Sequence, residues 1–130
     1  MYLLDTNICS YLIKGQFPAI YTKCDKHADE LATSEIVLAE LRAGADKEPE
    51  HAERRHRQID DIVARLNVVP WAASVEFGRV HSVLASRGTP IGVMDTLIAS
   101  HALQLNAVLV TANVKHFNRV PDLRFENWCG

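Results

Sequence analysis

The sequence predicts an α/β protein in which helices cover both faces of a mostly parallel sheet. Two observations carry this prediction. Short apolar runs, such as Tyr2 to Leu4 and Ala107 to Val110, are typical of fully buried strands. Longer segments with the apolar spacing of helices separate these runs, and crossover helices are what parallel neighbouring strands need.

The first predicted strand is Tyr2 to Leu4, and a helix follows it through about Lys14. Thr6 or Asn7 is the predicted cap of this helix, since a hydroxyl or amide oxygen can accept a hydrogen bond from the free amides of the first turn. Gly15 ends the helix because glycine adopts the left-handed conformation that helix ends need.

Proline, capping residues and glycine place the later elements. Pro18 and Pro49 suit the first turn of a helix, Thr33-Ser34 is a capping pair, and the Arg87 to Pro90 segment stops a helix. The remaining predicted helices cover residues 18–26, 35–45, 49–66, 72–86 and 92–105. The remaining predicted strands cover residues 30–32, 67–69, 107–110 and 124–126.

Size and composition exclude several classes of protein. The 130 residues suit one domain, so residues 1–130 are expected to form a single unit, and 48% hydrophobic with 23% charged residues is a globular composition. The formal charge of -2 gives no overall attraction to nucleic acid. No segment is long and apolar enough for a membrane span, and the start lacks the features of a signal peptide. Three cysteines without a CxxC spacing favour reduced thiols in the cytoplasm.

Three acids stand where apolar residues are expected: Asp5, Glu40 and Asp95. An ionised carboxylate in such a segment is costly unless a positive charge neutralises it. No lysine or arginine lies within four residues of Asp5 or Asp95, and Arg42 lies on another side of the helix from Glu40. A divalent cation is the simplest partner that all three acids could share.

Each acid also has an ordinary structural interpretation. Asp5 could cap a helix, Glu40 could extend to the surface, and Asp95 could stabilise the positive end of a helix dipole. The joint occurrence of three such acids in 130 residues nevertheless favours a shared site.

Polar residues at the ends of strands give this site a location. Asp5 follows the first strand, Thr33 and Ser34 follow the second, and Thr111 and Asn113 follow the fourth. The carboxyl ends of parallel strands form one edge, where ligands bind in open α/β sheets. Glu40 and Asp95 reach this edge if the apolar sides of their helices face the sheet.

Carboxylates that converge with water at one point suit octahedral Mg²⁺ or Mn²⁺. Such an ion lowers the pKa of bound water and neutralises charge on a phosphodiester, which is nuclease chemistry. Hydrogen-bonding groups around the ligands hold them in place. The residues predicted for this supporting role are Thr6, Asn7, Ser34, Thr111 and Asn113.

Four segments together resemble the PIN-domain ribonucleases, in particular the VapC-type toxins of bacterial toxin–antitoxin pairs. They are Leu4 to Asn7, Ser34 to Gly44, Pro90 to Ala99 and Leu109 to Asn113, in the family's order. The resemblance implies an α/β/α sandwich, an endoribonuclease dependent on Mg²⁺ or Mn²⁺, a homodimer and inhibition by a cognate antitoxin. It also implies an RNA substrate, often a transfer RNA, whose cleavage stops translation.

By this resemblance the family's acids correspond to Asp5, Glu40 and Asp95, with Asn113 as a fourth catalytic residue. Many members carry an acid where this chain has Asn113, or slightly later, where it has His116. An amide adds no charge, so one tightly bound ion is the expectation.

Two other functions fit parts of the pattern. An aspartyl phosphate could form at Asp5, although Asn7 occupies the place where such enzymes usually carry a second acid. A non-catalytic receiver-like or RNA-binding module would leave the acids structural.

Basic and apolar side chains outside the acids suggest partner surfaces. The cationic cluster from His51 to Arg57 could contact RNA phosphates, but acids on the same helix favour a surface of ion pairs. The apolar residues of the first two helices could form a groove for a partner helix or simply pack inward. His101 is expected to lie in the core.

Overall fold

A computed structural model describes all 130 residues and contains five strands and seven α-helices. The strands are β1 (Tyr2–Leu4), β2 (Leu31–Ser34), β3 (Asn67–Val69), β4 (Val108–Val110) and β5 (Phe125–Glu126). The helices are α1 (Thr6–Lys14), α2 (Pro18–Lys26), α3 (Glu35–Ala45), α4 (Pro49–Val63), α5 (Ser74–Ser86), α6 (Val93–Leu105) and α7 (Val114–Phe117).

The five strands form one sheet in the order β3-β2-β1-β4-β5, and every neighbouring pair is parallel. Right-handed crossovers therefore put α1 to α4 on one face and α5 to α7 on the other. The contacts between helices agree with this division into two faces. The α3 helix packs on α4, α1 contacts both of them, and α5 packs on α6. The predicted α/β/α sandwich is confirmed.

The strand order reverses direction at β1, which has β2 on one side and β4 on the other. Leu3 and Leu4 are both fully buried, although successive strand residues point to opposite faces. Both faces of β1 are therefore covered, and the crevice beyond its carboxyl end is the switch point where open α/β sheets bind ligands.

The chain after β5 closes the core. Trp128 is 2% exposed, and its ring lies 5.2 Å from that of Tyr2 and 5.7 Å from that of His27. No helix is both long and apolar enough to cross a bilayer.

Most sequence-based boundaries are within two residues of the structure, and the largest differences have physical causes. The second strand begins at Leu31 and extends to Ser34, not Glu30 to Ala32, because the Thr33 hydroxyl donates to the Leu4 carbonyl and so can be buried in a strand. Asp5, not Thr6 or Asn7, caps α1. The α4 helix ends at Val63 instead of Leu66, and α7 was not predicted because its four residues carry no clear periodicity.

Candidate active site

Asp5 lies at the carboxyl end of β1, where it caps α1. Its Oδ1 accepts a hydrogen bond from the Ile8 amide at 2.9 Å, and only 4% of the residue is exposed. Thr111 lies near enough to this carboxylate to lower its pKa. No lysine, arginine or histidine forms an ion pair with it, so its hydrogen bonds come from neutral groups.

The electrostatic environment of Asp5 disfavours its charge. Burial raises the pKa of Asp5 to about 6, while the hydrogen bonds from Thr111 and Ile8 oppose this rise. The negative charges of Asp95 and Glu40 raise the pKa further. The three predicted acids therefore act on one another across the crevice, although they are far apart in the sequence.

Glu40 reaches the same edge from α3. Its Oε1 accepts a hydrogen bond of 2.6 Å from the hydroxyl of Thr6, the residue that follows Asp5 in the chain. Glu40 is half-buried. This hydrogen bond ties Glu40 to the residue next to Asp5.

Asp95 lies in the first turn of α6. Gly92 precedes this helix with φ of 93°, a left-handed conformation that favours glycine, and so sets the direction in which α6 begins. The Asp95 side chain is 28% exposed, and the positive end of the helix dipole favours its charge.

The segment after β4 supplies the partners of Asp95. Its Oδ2 accepts from the Asn113 amide at 3.3 Å and lies 2.9 Å from Nδ1 of His116. Thr111 Oγ1 in turn accepts from the backbone amide of Asn113 at 2.9 Å. Since Thr111 also lowers the pKa of Asp5, this short segment lies beside two of the three acids.

His116 contacts Asp95 but was not among the residues predicted for the site. It belongs to α7, the helix that was not predicted, and the turn between Asn113 and His116 brings both side chains onto Asp95. The sequence did contain one indication of this contact. Asn113 and His116 are three residues apart, so in a helical turn their side chains lie on the same face.

Ser34 and Asn7 do not contact the acids. Ser34 is fully buried, caps α3 by accepting from the Ile36 amide at 3.1 Å, and bonds Nδ1 of His101 at 2.8 Å. Burial lowers the pKa of His101, which keeps the ring neutral in the core. Asn7 is exposed at the mouth of a neighbouring groove.

The predicted acids do not form the tightest group of potential metal ligands. The ligand atoms of Glu48, Glu50 and His51 all lie within 4.8 Å of one another, whereas those of Asp5, Glu40 and Asp95 do not make such a group. Glu48 and Glu50 are exposed at the start of α4, where acids stabilise the helix dipole, and Glu48 pairs with Arg55 at 3.0 Å.

The donor chemistry of the crevice nevertheless suits a hard cation. Carboxylate and amide oxygens are the ligands of octahedral Mg²⁺ and Mn²⁺, and water completes the coordination when protein ligands are few. A buried carboxylate whose charge is disfavoured by burial and by two neighbouring acids would be stabilised by such an ion. The crevice residues therefore fit one divalent cation bound by oxygen.

A family model of the PIN domain matches residues 2–123. The Rickettsia felis protein "Ribonuclease VapC2" is 40% identical over 98% of each chain. "tRNA(fMet)-specific endonuclease VapC" of Salmonella typhimurium is 35% identical, again over 98% of each chain. In the crystal structure of VapBC2 from Rickettsia felis bound to a DNA fragment from their promoter, one chain matches with a TM-score of 0.92 and 39% identity, covering 98% of each chain.

Proposed function

The chain belongs to the PIN-domain family, among its VapC ribonucleases, and on that premise we propose that it is a metal-dependent endoribonuclease toxin. The ion is Mg²⁺ or Mn²⁺, and the ligands are Asp5, Glu40 and Asp95. The observation that carries this proposal is Asp5, a carboxylate at 4% exposure with a pKa near 6, two acidic neighbours and no cationic side chain.

Each residue has a defined part in the proposed site. Asp5, Glu40 and Asp95 hold the ion, which when bound supplies activation of water and neutralisation of charge on the phosphodiester. The Thr6 hydroxyl orients Glu40 through a hydrogen bond, and Thr111 lies beside Asp5 and lowers its pKa. Asn113 and His116 hold Asp95, and the neutral Asn113 adds no charge for a second ion.

The alternative of an aspartyl phosphate at Asp5 is disfavoured by the same geometry. A nucleophilic carboxylate needs an oxygen open to the substrate, whereas Asp5 is nearly completely buried and accepts a hydrogen bond from the Ile8 amide. A ligand that faces a small ion is compatible with this burial.

We propose a transfer RNA as the substrate and a cognate antitoxin as the partner. Support for the substrate comes from the Salmonella relative, whose name describes a tRNA-specific endonuclease. Support for the partner comes from the Rickettsia chain of similar fold, which belongs to a VapBC complex. Phe17 and Tyr21, which are 42% and 39% exposed on and beside α2, offer apolar surface for such a partner. A homodimer in the cytoplasm completes this proposal.

The test is cleavage of labelled tRNA by the purified protein with Mg²⁺, and again with excess EDTA. The proposal predicts cleavage only with metal, and predicts that Asp95→Asn abolishes cleavage while the circular dichroism spectrum stays unchanged. Glu50→Gln is the matched control, because it removes an acid from the exposed group near α4. Cleavage that persists in EDTA, or wild-type turnover by Asp95→Asn, would refute metal-dependent catalysis at this site.

A further inference from the structure

A groove of about 770 Å³ opens beside the acidic crevice, between α1, α3 and α4. Thr6 and Glu40, which are hydrogen-bonded to each other, form part of its lining. The groove therefore adjoins the site proposed for catalysis, and a chain that occupies it reaches Glu40 directly.

The groove is cationic in a protein whose net charge is -2. Its charged lining residues are Lys14, Lys47, Arg54, Arg55 and Glu40, four positive and one negative, which gives +3 locally. Lys14, Lys47 and Arg54 form no ion pair, whereas Arg55 pairs with Glu48 at 3.0 Å. Within the cluster from His51 to Arg57, Arg55 and Arg57 form the expected ion pairs, whereas Arg54 forms none.

Two of these cations lie at the ends of α1 and α3, at a distance from the residues of the acidic site. Thr6 and Lys14 are the first and last residues of α1, and at a rise of 1.5 Å per residue they are about 12 Å apart along the helix. Lys47 follows Glu40 by seven residues and lies just past the end of α3. A stacked strand rises about 3.4 Å per nucleotide, so about three to four nucleotides span the distance from Thr6 to Lys14.

We propose that this groove binds the phosphate backbone of the RNA strand next to the bond that is cut, through Lys14, Lys47 and Arg54. The proposal rests on the proposed ribonuclease function and assigns the substrate contacts of that same site. Three unpaired cations in one groove attract a polyanion without reading its sequence, so these residues position the strand and do not select it.

A protein segment is the other possible occupant of a groove of this size. Only four of the fourteen lining residues are hydrophobic, namely Ile13, Leu41, Ala45 and Ile59. A helix that docks through its apolar face needs a hydrophobic groove. The excess of unpaired cations therefore favours RNA over a protein partner.

The experiment compares the wild type with a triple variant, Lys14→Gln, Lys47→Gln and Arg54→Gln. The probe is a fluorescein-labelled single-stranded RNA of twelve mixed nucleotides, and binding is measured by anisotropy in EDTA between 50 and 200 mM KCl. Because EDTA removes the divalent cation, the RNA is not cut during the measurement, while its contacts to lysine and arginine remain. The matched control is Lys23→Gln, Lys26→Gln and Arg87→Gln, which removes three cations that lie outside the groove and form no ion pair.

Each phosphate contact to a single strand contributes about 0.7 to the slope of log affinity against log salt, so three contacts contribute about 2. Wild-type affinity is therefore expected to fall about 20-fold more than that of the triple variant over this fourfold range of salt. The control is expected to keep the wild-type slope. Thermal midpoints of all three proteins are expected to agree, because none of the substituted side chains forms an ion pair.

A wild-type slope in the triple variant, or an equal loss in the control, would overturn the assignment. The same is true if a glutamate-rich peptide of matched charge binds the wild-type groove more tightly than the RNA does. Cleavage with Mg²⁺ is measured in parallel. An uncut RNA that still binds with the full salt slope would refute the ribonuclease proposal alone, whereas cleavage with unchanged binding in the variant would refute the groove alone.

Discussion

Replacement of Asp5 by asparagine is expected to make the metal-free protein more stable at neutral pH. The pKa of Asp5 is raised from 3.8 to about 6, mainly by burial, so the folded state binds the proton more tightly than the unfolded state does. Stability from this group is therefore greatest below pH 4, falls as the pH rises from 4 to 6, and stays low above pH 6. A shift of this size corresponds to about 3 kcal/mol of unfolding free energy.

Asparagine has nearly the same shape as aspartate but carries no charge at any of these pH values. Its carbonyl oxygen can still accept from the Ile8 amide, so the cap of α1 is retained. The variant should therefore exceed the wild type by up to about 3 kcal/mol at pH 7 in EDTA, and the difference should vanish near pH 4.

The assay is urea unfolding followed by circular dichroism at pH 4, 5, 6 and 7. Asp61→Asn, at an exposed position on α4, is the control and should follow the wild type at every pH. Mg²⁺ at a hundred times its dissociation constant should restore about 2.7 kcal/mol to the wild type at pH 7 and nothing to Asp5→Asn. A variant that is less stable than the wild type at pH 7, or a difference independent of pH, would refute the electrostatic reasoning.

The remaining predictions concern the residues that hold the acids. His116→Ala removes a partner of Asp95 and should slow RNA cleavage by 10- to 100-fold, less than Asp95→Asn, in a steady-state assay. A cleavage rate equal to that of Asp95→Asn would instead make His116 as important as the ligand. Thr111→Val removes a hydroxyl donor and should raise the pKa of Asp5 further, as NMR titration of the carboxyl carbon would report; an unchanged pKa would contradict that contact. Ser34→Ala removes the α3 cap and should lower the unfolding free energy by about 1 to 2 kcal/mol in urea; a change below 0.5 kcal/mol would show that the cap contributes little.

The spacing of apolar residues and the residues at helix ends predicted the helices and strands well, because both depend on conformational preferences of residues close together in the chain. Pro18 and Pro49 begin helices as expected, and Gly15 ends α1 with φ of 70°. The run around Leu109 is buried on both faces, as strands of a parallel sheet are. Elements that depend on contacts distant in sequence were harder to predict. Thr33 was assigned to a capping pair instead of a strand, because its hydroxyl partner, the Leu4 carbonyl, lies on another strand.

The residues of the candidate site were proposed from the sequence, but most of their hydrogen-bond partners were not. The position of Asp5 at the end of a strand followed from sequence, and its role as a helix cap is compatible with a role as a ligand. Ser34 was placed among the supporting residues, but it instead bonds His101, a contact across 67 residues. The contact of His116 with Asp95 could not be predicted from the sequence either, because it depends on how α7 packs against α6.

The contacts of the basic residues were also difficult to predict from the sequence. The charge pattern along α4 favoured a surface of ion pairs, which Arg55 and Arg57 form, but it did not indicate that Arg54 stays unpaired. Lys14 and Lys47 come from other segments, so the cationic groove exists only after α1, α3 and α4 have packed together.

Calorimetric titration with Mn²⁺ at pH 7 tests the central proposal most directly, since it measures whether the buried acids bind a divalent cation. We predict one ion per chain for the wild type and for Glu50→Gln, and no binding for Asp5→Asn or Asp95→Asn. Binding lost in Glu50→Gln but retained in Asp5→Asn would place the ion at the surface of α4, and that result would contradict a catalytic metal in the crevice.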